Sequence, residues 1–95
     1  MLPKKIEKTY TDFFVSASKQ NILNRKTTIM IQLAASMAIG CSHWMEHFYG
    51  VAIEKGITDK EIGAVLSVVM SVSAGRVRAQ FRDARKRGQK IKKNK

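Results

Sequence analysis

The sequence predicts an all-α fold of about five helices. Three observations carry this reading. Apolar residues recur at spacings of three and four along most of the chain, the period of a helix and not of a strand. Helix boundary residues punctuate that pattern at Asn24, Gly40, Gly56 and the Thr58/Glu61 pair. No stretch reads as a strand in preference to a helix.

Pro3 suits the first turn of helix one, since its missing N–H has no helical partner there anyway. Leu2, Ile6, Tyr10, Phe13 and Ala17 then form an apolar stripe along that helix. Lys19-Gln20-Asn21 interrupts the pattern. Asn24 is the N-cap expected for helix two, which runs to about Ile39 and is apolar on most sides through Ile29, Met30, Leu33, Met37 and several alanines. Gly40 ends it. A third helix is expected from about Cys41 to Lys55, with Gly56 as its left-handed C-terminal residue. Thr58 and Glu61 form a capping box for helix four, whose inward face is Ile62, Val65, Leu66 and Val69. Residues 71–75 read as a boundary. Helix five follows, with Val77, Phe81 and Ala84 on one side and arginines around them. Gly88 is expected to end it, so that residues 1–88 form the helical domain and residues 89–95 a disordered basic tail.

A chain of 95 residues forms one small domain, of the size that often gains stability by oligomerising. The lone Cys41 excludes an intramolecular disulfide framework and fits a reducing, cytoplasmic setting. The N-terminus lacks the continuous apolar region of a signal peptide. The longest nearly apolar run is read at residues 29–41, short of the roughly 20 residues a spanning helix needs, so no membrane span is expected. The net charge of +11 is concentrated at one end. Residues 1–75 carry eight Lys/Arg against six Asp/Glu, whereas residues 76–95 carry ten against Asp83 alone.

The block 23–84 carries Leu23-Asn24-Arg25-Lys26-Thr27, an apolar helix ending Ala38-Ile39-Gly40-Cys41, then Val51-Ala52-Ile53-Glu54-Lys55-Gly56-Ile57-Thr58-Asp59-Lys60-Glu61-Ile62, and Ser73-Ala74-Gly75. In that order these segments resemble the AhpD-like family, which includes alkylhydroperoxidases and carboxymuconolactone decarboxylases. The resemblance implies an all-α fold that assembles as dimers, trimers or hexamers. Redox members of the family look like Glu, eleven residues, Cys-x-x-Cys, three residues, His. Here the first cysteine is Cys41, while Ile29, Trp44 and Phe48 occupy the Glu, second Cys and His positions. The decarboxylase branch resembles this pattern with a similarly placed His and no cysteine pair.

Residues 40–50 gather the only cysteine, both histidines and the only tryptophan. Cys41 at a helix start is the one credible nucleophile, because unpaired N–H groups and the helix dipole favour a thiolate. It is equally a small apolar residue at home in a core. Cys41, Trp44, Met45, Phe48 and Ala52 fall on one apolar face, and His43, His47, Gly50 and Glu54 on a polar one. His47 lies about 120° around the helix from Cys41, a poor position for a general base unless the helix starts after Cys41. His43-Trp44-Met45-Glu46-His47 matches the short H-x-x-E-H zinc peptidase string, which makes His43 and His47 an alternative metal pair without a visible third ligand.

Arg85, Lys86, Arg87, Lys90, Lys92 and Lys93 are candidate contacts for a polyanion, either nucleic acid or an anionic surface, or else a solubilising tail. No reader motif accompanies them. Three functions are therefore expected. The first is a thiol-dependent peroxidase working through Cys41 with an external thiol reductant and no cofactor. The second is a non-catalytic binding or assembly module on the same scaffold. The third is a lactone decarboxylase-like lyase, with Arg25, Lys26 or tail residues attracting the acid.

Overall fold

The computed structural model describes residues 1–93, with four α-helices and no strand among the described residues: α1 Lys4–Ser18, α2 Arg25–Ile39, α3 Ser42–Glu54 and α4 Asp59–Lys93. The expected fourth and fifth helices are one. Ser67 and Ser71 return their hydroxyls to carbonyls three residues back, Ala64 and Val68, at 2.7 Å each. Gly75 then costs the helix only about 1 kcal/mol relative to alanine, too little to end it when no cap or proline follows. The same holds at Gly88, and residues 89–93 are helical where a disordered tail was expected. Asn94 and Lys95 of that expected tail lie outside the described residues.

Local chemistry fixes the other boundaries. Asn24 caps α2 by accepting the Thr27 N–H at 2.8 Å. Gln20 organises the preceding turn: its carbonyl accepts the N–H groups of Ile22 and Leu23, and its amide donates to Thr28 Oγ1 at 2.7 Å. Both α2 and α3 end in Schellman motifs around left-handed glycines, Gly40 at φ 71° and Gly56 at φ 80°. The pattern is complete in each. Cys41 N–H reaches Ser36 O and Gly40 N–H reaches Met37 O, while Ile57 N–H reaches Ala52 O and Gly56 N–H reaches Ile53 O. Thr58 and Glu61 form the reciprocal capping box of α4 at 3.0 and 3.1 Å.

Helix α2 is the hub, packed against α3 and α4. Ile29, Ala52 and Ile57 are the buried centre, with Met30, Val51 and Ile62 against them, and Leu33 and Phe48 are buried alongside. Lys26 of α2 pairs with Glu61 of α4. Ile62 of α4 packs against this core and Val65 and Val69 are half-buried, but Leu66, expected with them, is exposed.

The remaining apolar surface is uncovered. No α1 residue is buried, and Ile6, Tyr10 and Phe13 of its stripe are exposed. The radius of gyration is 19.0 Å, against about 12 Å for a compact chain of this length. The accessible surface is 8071 Å², against about 5,500 Å² for a folded monomer of this mass. Helix α4 contributes most of the extension. It is long and apolar enough to cross a membrane by length and composition, and none of that apolar window is buried. Its uncharged stretch is residues 62–75, which the boundary expected at 71–75 would cut short. That stretch measures about 21 Å as a helix, short of the roughly 30 Å of a bilayer core.

Candidate functional site

Cys41 serves two helices at once. Its N–H closes the C-terminal motif of α2 on Ser36 O at 3.1 Å, and its carbonyl accepts Met45 N–H at 2.9 Å to open α3. Ser36 is itself buried and donates its hydroxyl to Leu33 O at 2.6 Å, so the anchor of this junction lies in the core. Cys41 is thus the N-cap of α3, in extended conformation, and the helix starts after it. Its side chain is half-buried, free of disulfide, and makes no capping hydrogen bond. The first-turn N–H groups of α3 have no side-chain oxygen to satisfy them, which leaves donors for an anion at the thiol.

The face below Cys41 turns inward. Trp44 and Met45 are half-buried, and Phe48 and Ala52 are buried. Trp44 stacks on Phe48, centroids 5.3 Å apart and planes 17° from parallel. Phe14 of α1 stacks on Trp44, also at 5.3 Å. These rings wall one side of an apolar groove of about 740 Å³ between α1, α2 and α3, lined also by Tyr10, Phe13, Ile31 and Ile39. Polar groups in it are few, chiefly Gln20, Thr28, Gln32 and Ser36. Cys41 does not line the groove, but its neighbours Ile39 and Trp44 do.

His43 and His47 are exposed, and each meets the Trp44 ring edge-on, at 5.7 and 5.6 Å. Among the described residues, no three His, Cys, Asp or Glu side chains converge as a metal-binding set. Glu61 is held well below the ordinary carboxylate range. Its hydrogen-bonded ion pair with Lys26, helped by the Thr58 N–H, lowers its pKa from 4.5 to about 2. It belongs to the capping box and α2–α4 junction, remote in sequence from Cys41.

Arg85, Lys86, Arg87 and Lys90 are exposed on α4 well beyond the core, and the backbone of Lys92 and Lys93 continues that helix. Arg78, Arg82 and Arg85 line one shallow groove with Phe81. The structure therefore separates the basic cluster from Cys41 as distinct parts of the chain. Sequence reasoning had not singled out Phe14 as the ring against Trp44. Its signal was present, since Phe14 lies one helical turn after Tyr10, and their rings are 6.4 Å apart.

The sequence profile of the carboxymuconolactone decarboxylase family matches residues 5–86. A crystal structure of a protein from Methanobacterium thermoautotrophicum superposes with a TM-score of 0.78 at 22% identity, covering 84% of this chain and 91% of that one. No curated protein matches the chain.

Proposed function

Because this chain belongs to the carboxymuconolactone decarboxylase family, we propose that it is a homo-oligomeric, cytoplasmic thiol peroxidase with Cys41 as its single reacting residue. The observation that carries this reading is the position of Cys41 as an uncapped, half-buried N-cap. A thiolate formed there meets the first-turn N–H groups that Ser or Asp oxygens bind at other helix starts. The adjoining groove, with Trp44 and Phe14 in its wall, suits the apolar body of an organic hydroperoxide better than hydrogen peroxide alone.

The chemistry needs no metal or cofactor. Sulfur attacks the outer peroxide oxygen, the O–O bond breaks, and the departing alkoxide takes a proton from water. Cys41 becomes the sulfenic acid and the hydroperoxide an alcohol. One external thiol condenses with the sulfenic acid to a mixed disulfide and releases water. A second thiol displaces it, returning Cys41 as thiolate and leaving the oxidised disulfide of the reductant. A resolving thiol must come from outside because Trp44 occupies the position of the second cysteine. His47 is exposed about 120° around α3 from Cys41 and has no part in this sequence.

Consumption of cumene hydroperoxide in the presence of glutathione or thioredoxin tests this directly. Wild type should turn over and Cys41→Ser should not, and dimedone should label Cys41 after peroxide treatment. Equal rates for the two proteins would remove Cys41 from the chemistry, and no turnover by wild type would leave a non-catalytic scaffold.

The oligomeric part rests on area. The excess accessible surface is about 2,500 Å² over that of a folded monomer, the scale that obligate assemblies bury. Exposed Val68, Met70 and Val72 of α4 are among the side chains a second copy would cover.

A further inference from the structure

The two halves of α4 differ in kind. Residues 62–75 hold no charge, whereas residues 76–91 hold seven Lys/Arg and only Asp83 as an acid. That second half projects beyond the core as continuous helix, and apart from half-buried Ala79 its side chains are exposed. Val77, Phe81, Ala84, Gly88 and Ile91 follow i, i+4, i+7, i+11 and i+14 spacing, which gathers them into one stripe about 80° wide. Val77, Phe81 and Ile91 are 58%, 68% and 63% exposed. Arg78 and Arg85 border one edge of the stripe, and Arg76 and Arg87 the other, by the same helical geometry. Among the described residues, Arg82 alone of the arginines in this half has a carboxylate beside it, Asp83 at 3.8 Å.

We propose that residues 76–91 form an interfacial helix that lies flat on an anionic phospholipid surface. Val77, Phe81, Ala84 and Ile91 enter the boundary of the acyl region, and the flanking arginines meet the lipid phosphates. Charge complementarity selects this occupant. A second copy docked along the same stripe would set the Arg85 and Arg87 edges against like charges, which is unfavourable at the flanks of a helix pair. A polynucleotide would use the charges alone and leave Val77, Phe81 and Ile91 in water. An anionic membrane surface uses both, because arginine stems reach sideways and upward from a helix whose apolar stripe is immersed. The Arg78, Arg82 and Arg85 row beside Phe81 places guanidinium groups at phosphate level when the phenyl ring is at acyl level. The inference is independent of chemistry at Cys41.

Co-sedimentation of the full chain with phosphatidylcholine vesicles, with and without about a third of phosphatidylserine, tests it. Binding should be at least about ten-fold tighter on the anionic vesicles and should weaken as salt is raised. Phe81→Ser should weaken it by about ten-fold, since apolar area and charge act together. Arg78→Gln with Arg85→Gln, two outward changes that leave the apolar stripe intact, should weaken it similarly and decides the matter if Phe81→Ser lowers helix content. Failure of wild type to bind anionic vesicles, or vesicle binding indifferent to both variants, would overturn the proposal. Duplex RNA bound more tightly than the vesicles and unaffected by Phe81→Ser would overturn it in favour of a polynucleotide.

Discussion

Phe14 of α1 and Trp44 of α3 are stacked, ring centroids 5.3 Å apart and planes 30° from parallel. This contact joins α1 to the rest of the chain together with three hydrogen bonds, Gln20 to Thr28, Gln32 to Ser18 and Arg25 to the Ser18 carbonyl. The first helix therefore depends on one aromatic pair more than on any buried core.

Trp44→Ala removes two stacked partners, Phe14 and Phe48, and should destabilise the protein by about 1–3 kcal/mol from the aromatic pairs alone. Urea unfolding followed by circular dichroism measures it. The loss should be local first. Limited proteolysis should cut within residues 19–24 of the variant while α2 and α3 remain protected. Trp44→Phe, which keeps a stackable ring, should recover most of the difference. Equal protease sensitivity of wild type and Trp44→Ala would show that the hydrogen bonds alone hold α1.

Acid should loosen the α2–α4 junction. Glu61 has a folded pKa of about 2 against an ordinary 4.5, chiefly because of Lys26 and then the Thr58 N–H. A carboxylate depressed in the folded state stabilises it above the unfolded pKa, and that contribution is lost as pH falls from about 4.5 towards 2. Wild type should lose stability across that window. Glu61→Gln should be less stable at neutral pH and show a flatter acid limb. Parallel acid limbs for the two proteins would remove Glu61 as a source of the dependence.

Boundaries written in side-chain chemistry were legible in the sequence. Asn24, Gly40, Gly56 and the Thr58/Glu61 box each act through a specific hydrogen bond or a left-handed backbone angle, and each falls where its residue type requires. The continuity of α4 was not legible, because Ser71, Ser73 and Gly75 weaken a helix without ending it, and they read as a boundary where the helix runs on. The inward face of α3 followed from spacing alone. The groove did not, since it depends on where α1 lies, and α1 is set by the long-range Phe14–Trp44 pair.

The two kinds of glycine should answer oppositely to alanine. Gly75 lies inside α4, and an added Cβ there would meet nothing within 4 Å. Gly75→Ala should therefore stabilise by about 1 kcal/mol through helix propensity. Gly40 has the same open surroundings but a φ of 71°. Gly40→Ala should cost about 1–2 kcal/mol, the penalty of a side chain in the left-handed region. It would also loosen the hydrogen bond from Cys41 N–H to Ser36 O that sets the thiol at the start of α3. Thermal unfolding of the pair gives both signs, and a stabilising Gly40→Ala would mean that the α2–α3 junction is not held as described.

Assembly should be inseparable from folding. Val68, Met70 and Val72 lie on the uncharged half of α4, all exposed in the single chain, and among the described residues only five apolar side chains are buried. A core that small leaves a chain of this length marginal by itself. Multi-angle light scattering should give a multiple of 10.7 kDa, and the unfolding midpoint should rise with protein concentration, as mass action requires when association and folding are coupled. Val68→Asp with Val72→Asp would place unpaired carboxylates in the contact. The expected penalty is about 3 kcal/mol or more, a factor of over about 100 in association. The variant should therefore run as monomer or unfold at concentrations where wild type is assembled. Phe81→Ser, on the basic half, should leave the mass unchanged. A monomeric wild type with a concentration-independent midpoint would mean that the apolar half of α4 is covered by something other than another copy of the chain.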